Sequence, residues 1–113
     1  MKVPQVAPWE LWWATFDPQV GREQAGLRPA VVVGTAFACR LPNGLVFVVP
    51  CTTTDRGLPF HPRVSALATP TFALCDLLKS VSRQRLVRRH RTRLVPEDID
   101  AIRFALRMMI DTR

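Results

Sequence analysis

Three short stretches carry side chains whose types and spacing could handle an oxyanion and move protons. Arg22, Glu23, Gln24 and Arg28 fall within seven residues, just ahead of the β-branched run Pro29-Ala30-Val31-Val32-Val33. A guanidinium fork binds two oxygens of one anion, and a carboxylate can accept a proton. Functional groups on a loop anchored by a rigid strand are the usual layout of an active site. On these residues alone the plain alternative stands open: an exposed loop whose Glu and Arg merely pair, worth little energetically. The second stretch is Val48-Val49-Pro50-Cys51-Thr52-Thr53-Thr54, an apolar run that breaks into hydroxyls. Alternation along a strand puts Thr52 and Thr54 on one face and Thr53 on the other. Such hydroxyls are good donors to phosphate oxygens and equally ordinary strand residues. In the third, Cys75-Asp76-Leu77-Leu78-Lys79-Ser80, an acid and a base follow a buried-looking run, and a simple salt bridge explains them as well.

The elements that must position these groups are mostly strands. Residues 9–17 are aromatic-rich and end at Pro18, and a loop over about 18–28 leads into a strand opening at Pro29. Asn43-Gly44 predicts a hairpin turn before a strand over Leu45 to Cys51. Asp55-Arg56-Gly57 turns the chain again, and 59–66 reads as an edge strand because of Pro59 and Pro62. Phe72 to Cys75 reads as a short buried strand that can run on through Asp76 into Val81. The tail then changes period. Pro96 with Glu97, Asp98 and Asp100 suits a first helical turn starting at 95–97, although Val95 is a poor cap. Ile99, Ile102, Leu106, Met109 and Ile110 recur at helical spacing as one apolar stripe, with Phe104 and Met108 off it. The reading is mainly β with a C-terminal helix, a compact antiparallel barrel closed by that helix.

Composition bounds the function classes. A chain of 113 residues, 48% hydrophobic, is expected to be one domain (1–113) with an ordinary core. The N-terminus lacks an apolar leader and the longest apolar run, Leu45 to Cys51, is too short to span a bilayer. A cytoplasmic protein without membrane contact is expected. The net charge of +7 is uneven, because residues 81–113 hold nine Arg against four acids, six of the Arg lying between 83 and 93. That excess favours a polyanionic partner, and a solubilising surface is the bland equivalent. Cys39, Cys51 and Cys75 form no Cys-x-x-Cys pair and read as buried thiols. His61 and His90 have no neighbours at ligand spacing, so neither metal nor cofactor is expected.

Together the stretches resemble the MazF/PemK/Kid toxins of toxin–antitoxin systems. The resemblance runs through Trp12-Trp13, Phe16-Asp17-Pro18, and Gly21-x-Glu23-Gln24-Ala25-Gly26-x-Arg28-Pro29-Ala30-Val31-Val32. It continues in Val49-Pro50-Cys51-Thr52-Thr53, Gly57-x-Pro59-Phe60, Ala73-Leu74-Cys75-Asp76 and Lys79-Ser80-Val81. It implies an SH3-like small barrel with a C-terminal helix, acting as a homodimer. The implied activity is sequence-specific, metal-independent cleavage of single-stranded RNA, inhibited by a MazE-like antitoxin that lays an acidic tail across the RNA groove. Arg28 matches the family's functional Arg and Thr52 its functional Thr. Positions matching Glu23, Gln24, Asp76 and Lys79 line or border the RNA site in relatives. The chain departs from the pattern at Trp9, where many members have Gly, at Thr15, where many have Asp, and at Arg22, often Ser or His.

RNA brings its own nucleophile, so the reaction implied is attack of a 2′-hydroxyl on the adjacent phosphorus. Arg28 fits charge stabilisation, Thr52 a phosphate hydrogen bond with Thr53 as the fallback, and Glu23 the general base. Arg22, Gln24, Thr53, Asp76 and Lys79 are the expected RNA-binding positions, and Trp12, Phe16 and Arg22 are candidates for stacking on bases, with plain barrel core the favoured alternative for Trp12. The Arg83–Arg93 run is expected to attract phosphates without sequence preference. Two alternatives stand beside this reading. A CcdB-like gyrase poison shares the architecture but relies on a Trp-Gly-Ile end, whereas this chain ends Met109-Ile110-Asp111-Thr112-Arg113. A noncatalytic nucleic-acid module would have to read bases with Arg103 and Arg107 alone.

Overall fold

A computed structural model describes residues 3–16 and 26–112. Glu23, Gln24 and Arg22 therefore lie outside the described residues. Six strands form one antiparallel sheet: β1 (Leu11–Ala14), β2 (Arg28–Val32), β3 (Leu45–Thr52), β4 (Phe72–Ala73), β5 (Lys79–Ser82) and β6 (Leu86–Arg89). A short helix α1 (Ala36–Cys39) precedes β3, and α2 (Pro96–Met109) follows β6. The sheet order is β4-β3-β2-β1-β6. The eight-residue β3 is shared, its first half pairing with β5 from Leu45 opposite Ser82 and its last residues with β4. One long strand serving two short ones lets the sheet curl around a small core. Mainly β with a C-terminal helix is the observed class.

Both faces of the central strands are buried, which explains their unbroken apolar runs. On one face Leu11, Val31, Val49 and Cys51 pack with Ile102 and Ala105 of α2. On the other, Trp12, Ala14, Ala30, Val32 and Val48 pack with Cys39 and Leu86. Alternation of residues within β1 thus sends Trp12 into the core, and its indole donates to Glu10 Oε1 at 2.9 Å. Trp12 is accordingly a core residue rather than a surface on which a base can stack.

Several expectations need correction. The segment 59–66 forms only an isolated bridge, Arg63 opposite Phe72, because its prolines cannot donate to a ladder. Asn43-Gly44 does turn the chain, with Gly44 at φ 73°, but it joins α1 to β3 rather than closing a tight hairpin. After β4 a single 3-10 turn, Cys75–Leu77, interrupts the run before β5. The basic stretch hides β6, which pairs with β1 from Trp12 opposite Arg89. In α2 the buried positions are Asp98, Ile102 and Ala105, whereas Met109 and Ile110 are exposed. Asp98 explains how a helix can start after Val95. Its carboxylate accepts from the N–H groups of Ser65 (2.7 Å) and Ala66 (3.1 Å), the Ser65 hydroxyl (2.6 Å) and, at 3.4 Å, the Val95 N–H. One side chain caps the helix and ties it to the 64–67 turn.

Trp9 has φ 67°, a left-handed conformation that glycine adopts freely and other residues enter at a steric cost. The ring offsets that cost by packing against the core under α2, with the Arg103 guanidinium 5.2 Å from its centroid.

Candidate active-site groove

The register of β2 and β3 decides which groups meet. Ala30 faces Pro50, Val31 faces Val49, and Ala14 of β1 faces Arg28. Continued two residues beyond its last bonded pair, the same register brings Arg28 and Thr52 to one end of the two strands. Residues 24 apart in sequence are thereby made neighbours at one end of the sheet. Thr52 is only 7% exposed, and its Oγ accepts from the Thr54 N–H at 3.1 Å. Its own O–H remains a donor. Arg28 is exposed, and no ion pair to it forms among the described residues.

Both border an open groove of about 630 Å³. Its walls are Gly26–Pro29, Cys51–Thr53 at the end of β3, the 67–71 turn, and Trp13, His90 and Thr92. Trp13 and His90 stack, ring centroids 4.9 Å apart and planes 18° apart, and the Arg88 guanidinium lies 5.7 Å from the Trp13 ring. The groove is therefore bordered by Arg28 and Thr52 on one side and by the aromatic pair on another. Its floor includes Cys51, whose thiol is pushed up to about 12 by burial, chiefly, and by Cys75 nearby. Such a thiol is no nucleophile at neutral pH.

Not every expected residue joins this groove. Thr53 lines it, whereas Asp76 and Lys79 do not. Asp76 Oδ1 sits 2.7 Å from Nε2 of the buried His61. Lys79 is exposed on β5, its ammonium 5.2 Å from the centre of the Phe16 ring. Two arginines of the 83–93 run are engaged by the fold itself. Arg83 is a structural clamp, its Nε donating to the Leu45 carbonyl (3.0 Å) and its Nη2 to those of Cys39 (2.6 Å) and Leu41 (3.0 Å). Arg89 pairs with Glu10 at 3.3 Å.

Trp13 and His90 are the groove residues that sequence reasoning missed. The strand β6 carries His90 to β1, where the His90 N–H donates to the Leu11 carbonyl at 2.8 Å. Recognising Leu86 as the start of a strand inside the basic run was the signal that could have found it.

Comparison with known proteins bears on what this groove does. Residues 7–110 match the family of PemK-like, MazF-like toxins of type II toxin–antitoxin systems. The chain belongs to that family. It is 35% identical over 101 residues to the endoribonuclease toxin MazF of Escherichia coli K12, covering 89% of this chain and 90% of that protein. The crystal structure of MazF from Deinococcus radiodurans superposes with a TM-score of 0.76 at 26% identity, covering 99% of this chain and all of the other. MazF in the MazE–MazF complex of the same organism gives 0.76 at 27% identity, with both chains fully covered. These MazF proteins share the antiparallel sheet and C-terminal helix described above. The family assignment disfavours the CcdB-like alternative.

Proposed function

We propose that this MazF-family chain is the toxin of a type II toxin–antitoxin system and cleaves single-stranded RNA without a metal. The observation that carries the reading is that Arg28 and Thr52 border one open groove, in a chain that matches an endoribonuclease over most of its length. The guanidinium of Arg28 offers two parallel N–H donors to the non-bridging oxygens of one phosphate. The Thr52 O–H, its lone pair already engaged by Thr54, donates to the same group.

With the phosphate held, the RNA's 2′-hydroxyl attacks phosphorus while its proton passes to a general base. The P–O5′ bond breaks and the leaving oxygen takes up a proton, giving a 2′,3′-cyclic phosphate and a 5′-hydroxyl. Arg28 stabilises the charge that grows on the phosphorane-like oxygens. Being protonated up to a pH above about 12, it is not the base. Glu23, five residues ahead of β2 in the sequence, takes that role, and Arg22 and Gln24 contact RNA. Thr53 adds a hydroxyl on the groove wall. The protein acts as one domain and a homodimer in the cytoplasm, with a MazE-like antitoxin as its inhibitor. In support, a MazF homologue is seen with MazE, and no helix among the described residues is long and apolar enough to cross a membrane.

The test is incubation of the purified chain with RNA in the presence of EDTA, followed by analysis of the ends. Fragments bearing 2′,3′-cyclic phosphate and 5′-hydroxyl termini, recurring at one short sequence, are expected. Intact RNA, or 5′-phosphate ends, would overturn the reading.

A further inference from the structure

The phosphate chemistry leaves the aromatic side of the groove without a task. Trp13 and His90 are stacked there and only half-buried, so part of the pair faces the groove. Backbone holds the histidine ring in place. Its own N–H is bonded to Leu11, and the Thr92 N–H donates to His90 Nδ1 at 3.0 Å. A backbone N–H can only donate, so Nδ1 accepts and the proton of the neutral ring sits on Nε2. Burial, foremost, and the nearby Arg88 push the His90 pKa below its ordinary 6.5, so the ring is neutral at pH 7.

That state excludes general base work at Nε2, which already carries its proton, and Nδ1 is occupied. What remains is a flat, uncharged surface, backed on one side by Trp13, with one N–H donor in its plane. Such a surface suits a nucleobase, because every base has a π-face and stacking tolerates sequence. Its position fits as well. Strands β6, β1, β2 and β3 lie side by side, so His90 and Thr52 are about three strand spacings apart, on the order of 14 Å, while Trp13 and Arg28 sit on neighbouring strands. One groove of about 630 Å³ contains both.

We propose that the Trp13–His90 stack is a nucleobase platform, on which an unpaired RNA base near the scissile phosphate extends the stack across the outer face of His90. The in-plane Nε2–H donates to a ribose or phosphate oxygen of a neighbouring nucleotide. His90 is a binding and positioning residue here and transfers no proton. The proposal rests on the ribonuclease reading and adds to it the subsite that holds a base.

The experiment measures KM and kcat of the full chain on a cleavable oligoribonucleotide for wild type, His90→Ala and His90→Phe, the fold of each being checked by thermal melting. Loss of one stacked base predicts a KM raised about tenfold or more in His90→Ala, with kcat within about threefold. His90→Phe keeps the surface and recovers most of that loss. An abasic nucleotide is then placed in turn at each position flanking the cut. At one position wild type should weaken to the level of His90→Ala, and the variant should weaken no further. An unchanged KM in His90→Ala, or losses that multiply at every abasic position, would overturn the platform while wild-type cleavage leaves the ribonuclease reading standing. A wild-type protein that cuts no RNA would overturn that reading and the platform with it.

Discussion

The two described histidines differ in burial, in partners and in their place relative to the groove. His61 is buried, its Nε2 bonded to a carboxylate, the pairing usually associated with a catalytic base. Yet it lies outside the groove, edge-on to Phe60, with its Nδ1 buried and without a partner. His90 has no carboxylate, stacks on Trp13, and lines the groove that Arg28 and Thr52 share. A histidine–aspartate pair therefore pins the 3-10 turn at Cys75–Leu77 to the 58–61 turn, while the unpaired ring faces the space where substrate can enter. Accessibility, rather than the number of polar partners, decides which of the two rings a substrate can reach.

The comparison can be broken from either side. Asp76→Ala would leave both nitrogens of His61 buried and unbonded. A loss of about 2 kcal/mol is expected, lowering Tm by roughly 10 °C. RNA cleavage per folded molecule should change by less than about threefold. A hundredfold fall in that rate, at a temperature where the variant is folded, would show that Asp76 acts in cleavage as well as in the fold. The smaller effect concerns His90 and pH. Its native pKa is below 6.5 and its unfolded pKa about 6.5, so on acidification the unfolded state binds the proton first. This contribution to stability is fully present above about pH 6.5 and is lost as pH falls through the lower native value. The charged group beside the ring is Arg88, Arg28 lies across the groove, and the Cys51 thiol stays neutral throughout. Wild type should therefore lose more stability than His90→Gln between pH 7.5 and pH 5, measured by denaturant unfolding. Parallel curves for the two proteins would show that the ring is not held in its neutral form.

Much of this was legible in the residues themselves. The strand β3, the helix α2 and the switch from period-two to helical spacing follow from local pattern, because apolar faces leave a trace in sequence. The matching of Arg28 and Thr52 to a known family also named the guanidinium–hydroxyl side of the groove. Other features had no such trace. Strand β6 was masked by Arg85, Arg88 and Arg89, whose charges read as solvated surface, although pairing with β1 overrides that preference. The Asp98 cap needs Ser65, 33 residues away, to be understood as a cap. Trp12 and Trp13 are adjacent and opposite in fate, since a period of two sends one inward and the other to the groove, and only the sheet register says which.

The most direct test of the central claim compares wild type with Arg28→Ala and Thr52→Ala on single-stranded RNA, without metal, under single-turnover conditions. Removing one preorganised donor to a reacting phosphate typically costs about 10²–10³ in rate. Arg28→Ala is expected to fall by that factor or more with its melting temperature little changed, and Thr52→Ala by less. An Arg28→Ala protein that cleaves RNA at the wild-type rate would contradict the account.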